Sequence, residues 1–406
     1  MVELQAESGV LVRSFLAATA GILVLFLGKG LNRRIVLLRE YNIPEPVTGG
    51  LLVAAALWVI HLTTDYRITF DLGVRDVLLV YFFTTIGINA RISDLKAGGW
   101  PLAILLASVA MFMLLQNGLG IAASTLLGRA PAIGLLAGSV SLLGGHGTAI
   151  AWAPTFANTY GIANAPEIGI LCATAGLVLA SVVGGPLARF LVERNRLQGP
   201  SNDAPAVGVH YGEAEPRIDY FSFLRAVLAI HVCGILGILV QQALGRLGIT
   251  LPLFVPCLLA GIVITNFAAR FVPRIPWPNR SPALALIAEL SLGVFLAMSL
   301  MSMQLWTLAN LAGPIFLLLA LQVALAVVFA FFAIFRALGR TYDAAVISAG
   351  FIGFGLGATP TAMANMTAVT QRHGASPIAF LIVPLVGAFF IDLLNAVVIR
   401  LFLSVL

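Results

Sequence analysis

Charge is what this chain has least of. Only 10% of its 406 residues are Asp, Glu, Lys or Arg, against 60% hydrophobic, and mean hydropathy is +1.01. A water-soluble domain of this length cannot hide so much apolar surface, so the composition implies a polytopic membrane protein. Cysteine is also scarce. Cys172, Cys233 and Cys257 all lie in apolar segments, with no disulfide or metal spacing, and read as small buried hydrophobes. No glycine loop for nucleotide phosphates is present, so uphill work must draw on a gradient or a partner. The net charge of +6 comes from basic residues in short loops, without a basic stripe carrying aromatics. That argues against nucleic acid and for topology signalling. No small-residue cleavage site follows the first apolar run, so residues 9–29 are expected to be a retained span.

Glycine is plentiful, at 40 residues, and it recurs in a pattern. Leu127-Gly128-Arg129 returns as Leu338-Gly339-Arg340. Gly144, Thr148, Ala151 and Ala153 return as Gly355, Thr359, Ala362 and Ala364, and Pro166 and Arg189 as Pro377 and Arg400. One constant offset of 211 residues relates all nine identities, which points to a duplicated unit. Duplicated, Gly-interrupted hydrophobic segments are the sequence mark of a transporter's binding site.

Long apolar runs with little strand-like alternation predict an all-α protein. Spans are expected near 9–29, 46–62, 77–92, 100–127 and 165–190, then 219–243, 251–266, 284–302, 313–336 and 376–404. Five spans per copy is an odd number, so the second copy inverts relative to the first. The expected organisation is a first repeat at 1–192, a polar cytoplasmic linker at 193–218, and a second repeat at 219–406. Assigning the linker side to the cytoplasm places 16 Lys and Arg inside and six outside. That bias predicts both termini on the outer side.

Between the fourth and fifth span of each copy lies a broken stretch, about 130–158 and 341–371, expected to form a re-entrant hairpin. The first reads Ser-Leu-Leu-Gly-Gly-His-Gly-Thr (141–148) and the second Gly-Phe-Gly-Leu-Gly-Ala-Thr-Pro-Thr (353–361). Thr359 before Pro360 resembles a helix start, with threonine as cap, and the offset gives Thr148 the same role. Each second half-helix then aims free N–H groups at mid-membrane, favouring a carboxylate. The free carbonyls of the first half-helices suit a small hard cation such as sodium. Valine at Gly144 or Gly355 is expected to abolish uptake. The alternative is that these glycines only let helices cross.

Several polar residues stand in apolar surroundings. Asp392, with Asn395 on the same face, is a candidate cation ligand or partner for a substrate ammonium. Asn89, beside Thr84 and Thr85, can add oxygens to a site, and His146 can contact substrate. His231 reads as structural.

The stretches Ile-Pro-Glu-Pro-Val-Thr-Gly-Gly (43–50), Thr-Ile-Gly-Ile-Asn-Ala (85–90), Gly-Gly-His-Gly-Thr (144–148), Gly-Phe-Gly-Leu-Gly-Ala-Thr-Pro-Thr-Ala (353–362) and Pro-Leu-Val-Gly-Ala-Phe-Phe-Ile-Asp (384–392) resemble the bacterial sodium/glutamate symporter family. The resemblance implies sodium-driven glutamate import across the bacterial inner membrane, with periplasmic termini. It also implies a homodimer whose scaffold stays put while a mobile part carries both hairpins, elevator-like. Glutamate would then meet Gly145, His146, Gly147, Thr148, Ala358, Thr359 and Thr361. Sodium would meet Asn89, Gly144, Gly355, Asn365 or Asp392. A carrier of citrate or another dicarboxylate is the near alternative, and a channel or an intramembrane hydrolase using Ser141 and His146 the distant ones.

Overall fold

The computed structural model describes residues 2–5, 9–40, 43–64, 66–91, 99–199, 219–246, 251–271, 277–305 and 312–406. From residue 200 onward the expected linker lies outside them. In chain order come β1 (Val2–Gln5), β2 (Gly9–Val12), α1 (Ser14–Arg34), the short α2 (Val36–Glu40), α3 (Glu45–Thr64), β3 (Arg67–Phe70) and α4 (Gly73–Asn89). Next are α5 (Gly99–Leu126), α6 (Pro131–Leu135) leading into a π turn (Leu136–Val140), α7 (Gly145–Tyr160), α8 (Ala165–Arg194), α9 (Tyr220–Arg246), α10 (Phe254–Phe271) and α11 (Pro282–Met301). The chain closes with α12 (Ala312–Phe329), which runs through a π turn into α13 (Phe335–Ala337), then α14 (Tyr342–Leu356), α15 (Thr359–His373), α16 (Pro377–Leu385), a third π turn (Val386–Phe390) and α17 (Ile391–Leu403).

Helices occupy all ten positions where spans are expected. Among the described residues seven are long and apolar enough to cross a membrane: α1, α3, α5, α8, α9, α11 and the run Gly313–Ala337. The helices α4 and α10 and the run from α16 to α17 fall outside that set. The polytopic membrane character therefore holds.

The purely helical expectation needs one correction. β1 pairs antiparallel with β2, and β2 parallel with β3. The apolar run expected to start a span at residue 9 opens as strand β2 and becomes helical only at Ser14. A short apolar run such as Gly-Val-Leu-Val does not distinguish strand from buried helix by its periodicity. Asp71, after β3, accepts from the Ser14 hydroxyl and the Gly73 N–H. Those bonds, the Ser14 one first, hold its carboxyl below the usual aspartate range.

The duplication is visible in local geometry. After α5, Gly128 adopts φ 67° and the Arg129 N–H bonds the Ser124 carbonyl at 2.9 Å. After α13, Gly339 adopts φ 82° and the Arg340 N–H bonds the Phe335 carbonyl at 2.9 Å. Each pair of positions obeys the offset of the sequence repeat. A left-handed residue there favours glycine, which is why Leu-Gly-Arg recurs.

The chain forms two compact units that both draw on each half of the sequence. The first takes β1–β3, α1, α3 and α4 from the first half and α9–α11 from the second; the second unit takes α5–α8 and α12–α17. Within the first unit, backbones touch at glycine. A Cβ on Gly28 would lie 1.8 Å from the Glu45 carbonyl oxygen, and one on Gly49 2.1 Å from that of Val24, so α1 and α3 cross in direct contact. Gly87 packs likewise against the Leu258 carbonyl. The three cysteines are free and buried, as expected of small hydrophobes. His231 does have polar company, because its Nε2 bonds the Tyr81 hydroxyl.

Gly28→Ala and Gly49→Ala should each lower stability by about 1–3 kcal/mol through overpacking. Gly30→Ala, whose Cβ meets nothing within 4 Å, should leave stability unchanged or raise it by about 0.5–1 kcal/mol, since alanine is the better helix former. Thermal unfolding of the purified protein in detergent distinguishes the two outcomes.

Candidate functional site

Both broken stretches fall in the second unit. In the first, the helix starting at Pro131 widens into its π turn and leaves helical geometry at Gly138, with φ −96° and ψ −131°. A turn through Ser141–Gly144 follows, and α7 begins at Gly145. In the second, α14 ends at Leu356, Gly357 leaves helical geometry (φ −140°, ψ −97°), Ala358 is extended, and α15 begins at Thr359.

The caps differ from expectation. Ala358, not Thr359, precedes α15, and Thr359 and Pro360 form its first helical positions. Gly144 precedes α7, which puts Thr148 inside the helix. Neither end has a side-chain cap. Proline favours the first helical turn, so the start is pulled one residue forward. Gly145 can start α7 early because it accepts φ 66°. The N–H groups of Gly145, His146 and Gly147, and those of Thr359 and Thr361, are consequently the ones lacking helical carbonyls.

The two tips meet. A Cβ on Gly145 would lie 3.8 Å from the Gly357 carbonyl oxygen. His146 is buried, and its Nε2 bonds the Thr174 hydroxyl on α8 at 3.0 Å. Thr148 is buried against Gly144, where an added Cβ would lie 2.6 Å from the Thr148 Cβ. Thr359 packs on Gly387 of the third π turn; that turn follows Pro384, whose missing N–H favours such a widening. Thr361 is fully buried, and its hydroxyl has no hydrogen-bond partner. Asn365 donates to the Ala180 carbonyl at 3.1 Å. Asp392 is half-buried at the start of α17. Asn89 belongs to the first unit, at the end of α4, where its oxygen accepts the Arg280 N–H at 2.7 Å. Its neighbours Thr84 and Thr85 bond carbonyls of their own helix.

Gly355 is not the break. It sits inside α14, and a Cβ there would meet nothing closer than 3.5 Å. Gly353 is the tight position: a Cβ there would lie 2.3 Å from the Ala362 Cα, where α14 and α15 touch. The packing explanation thus holds for Gly353, while a left-handed backbone explains Gly145.

Asn395, singled out beside Asp392, and three residues that patterning missed, Gln116, Asn117 and Gln322, hold the breaks in place. Asn117 Oδ1 accepts the Ser139 N–H at 2.9 Å, just past Gly138. Asn395 Nδ2 donates to the Ser139 carbonyl at 2.9 Å, and the Ser139 hydroxyl donates to Asn395 Oδ1 at 2.7 Å. Gln116 Nε2 donates to the Gly355 carbonyl at 3.3 Å, and Gln322 Nε2 to the Gln116 carbonyl at 2.9 Å. The available signal was a Gln-Asn pair inside an apolar helix, where unpaired amides are costly. Ser141 donates to the Leu136 carbonyl at 2.6 Å, so it and His146 form no nucleophile–base pair. A cavity of about 500 Å³ lies elsewhere in this unit, near Arg189, Phe190, Arg372 and His373.

Among the described residues no three His, Cys, Asp or Glu cluster as metal ligands. A cation at the tips would rest chiefly on carbonyl, amide and hydroxyl oxygens, which suit sodium. Two N-termini and carbonyl-bearing ends, converging in a buried interior, can hold an anion beside such a cation.

The sequence model of one family, described as sodium/glutamate symporter, matches residues 12–375. A sodium/glutamate symporter of Escherichia coli K12 is 43% identical over 391 residues, covering 95% of this chain and 96% of that protein. One of Haemophilus influenzae is 44% identical over 382 residues, covering 93% and 94%. These relatives are named as transporters, not enzymes.

Gly144→Ala and Gly145→Ala should each destabilise by about 1–3 kcal/mol, the first by collision and the second by left-handed strain. Gly355→Ala should stay within about 0.5 kcal/mol, because space is available. Thermal midpoints of the three variants beside the parent test this ordering.

Proposed function

The chain belongs to the sodium/glutamate symporter family, and on that premise we propose that it imports glutamate together with sodium across a bacterial inner membrane. One observation carries the reading. Two half-helix starts meet within one compact unit, and a fully buried hydroxyl without a partner, Thr361, stands at one of them. A dicarboxylate amino acid answers both starts. One carboxylate takes the N–H groups of Gly145, His146 and Gly147, with Thr148 behind them. The other takes those of Thr359 and Thr361 and the Thr361 hydroxyl, where Ala358 lets the backbone approach. The half-buried Asp392 stands ready for the substrate ammonium or for sodium. Gly144 and Gly355 carbonyls and the Asn365 oxygen supply neutral ligands for sodium. Asn89, in the first unit, keeps a lone pair beyond the Arg280 bond and is a separate candidate.

The architecture in this proposal has ten spans in two inverted five-helix repeats, 1–192 and 219–406, joined by a cytoplasmic linker at 193–218. The stretches 130–158 and 341–371 enter as re-entrant hairpins, and both termini are periplasmic. The unit with both hairpins is the moving part of an elevator. The other unit is the scaffold through which two copies form a homodimer.

Reconstituted protein should accumulate labelled glutamate when a sodium gradient is imposed, and not with proton or potassium gradients alone. Thr361→Val should raise the glutamate KM about 10- to 100-fold, the equivalent of a lost hydrogen bond to a charged group. Uptake indifferent to sodium, or a preference for citrate over glutamate, would refute the reading.

A further inference from the structure

Two glutamines in the second unit present an oxygen to nothing. Gln116 on α5 and Gln322 on α12 are both fully buried. Each spends its N–H end on a backbone carbonyl: Gln116 on Gly355 at 3.3 Å, Gln322 on Gln116 at 2.9 Å. The opposite end of each amide, Oε1, has no hydrogen-bond donor. Their orientation is not arbitrary. Turning either amide over would face its oxygen against a carbonyl oxygen, so the acceptor fixes which end is left over. Neighbouring contacts leave Gln322 little room to withdraw, since a Cβ on Gly120 would lie 3.1 Å from its Nε2.

A buried oxygen without a donor forfeits its hydration and regains nothing in the apolar interior. Two such oxygens, on amides joined in one chain of hydrogen bonds from Gln322 through Gln116 to the Gly355 carbonyl, match a hard cation in ligand type. Sodium accepts uncharged oxygens, and neither protons nor side-chain carboxylates need be placed there. We propose that Gln116 Oε1 and Gln322 Oε1 are sodium ligands at the second break, with the Gly355 carbonyl completing that wall. This assignment rests on the sodium-coupled reading above and adds two residues to it. It also ties ion occupancy to the hairpin, because the Gln116 amide that offers its oxygen simultaneously holds α14 near its end.

Gln116→Met and Gln322→Met keep length and volume but replace a hard oxygen with a soft thioether, a poor ligand for sodium. In proteoliposomes, the sodium concentration giving half-maximal glutamate uptake should rise about tenfold or more in each variant, and by more than the glutamate KM at saturating sodium. A second readout needs no transport. Sodium chloride, against choline chloride, should raise the thermal midpoint of the purified parent without glutamate, and that shift should vanish in both variants. Variants with parental sodium half-saturation and parental thermal shift would mark the oxygens as water-bridged packing groups and overturn the assignment. If a Met variant does not reach the membrane, Gln322→Asn tests the same oxygen by drawing it back one carbon while keeping an amide. It should raise the half-saturating sodium about threefold or more, and no change overturns the assignment equally. A parent whose uptake ignores sodium would instead sink the transport reading itself.

Discussion

A helix interrupted inside an apolar unit leaves N–H and carbonyl groups that no lipid or bulk water can satisfy. Everything at the candidate site follows from how those groups are met. At the first break, two asparagines from different helices satisfy both backbone groups of Ser139. At the second, one glutamine reaches Gly355 and another steadies the first. Gln116 and Asn117 are adjacent in sequence, so a single helix, α5, supports both interruptions. Disturbing it would move both tips together.

The second condition is closeness. Side chains between helices would hold backbones apart, so the tight crossings use glycine on at least one face, as at Gly28 and Gly49 or at Gly353 against Ala362. Close crossings give the rigidity that lets a half-helix end stay uncapped. A capping side chain at Gly144 or Ala358 would occupy the space and the N–H groups that a ligand needs. What helix rules count as a defect at these two positions leaves N–H groups of the kind that can hold an anion.

Much of this was legible in the residues. Helices lie at each position where hydropathy predicts one, and the repeated Leu-Gly-Arg makes the same left-handed turn twice. Other features were not. The N-terminal strands read as the beginning of a span, because four apolar residues carry no decisive period. Thr148 and Thr359 read as caps because threonine usually is one, yet a glycine at φ 66° and a proline each moved the helix start. Gln116, Asn117 and Gln322 stood in plain view inside apolar helices. Their partners lie many residues away, beyond any local pattern.

Sequence alone determined membrane character, helix positions, the duplication and the two interruptions. Those depend on apolar content, local periodicity and glycine's freedom of backbone, all encoded within a few neighbouring residues. Tertiary structure alone decided which glycines are crowded, where each half-helix begins, and which amides meet which carbonyls. Those depend on distances between segments up to 256 residues apart, such as Ser139 and Asn395, and a hydrogen bond over such a separation exists only once the chain has packed.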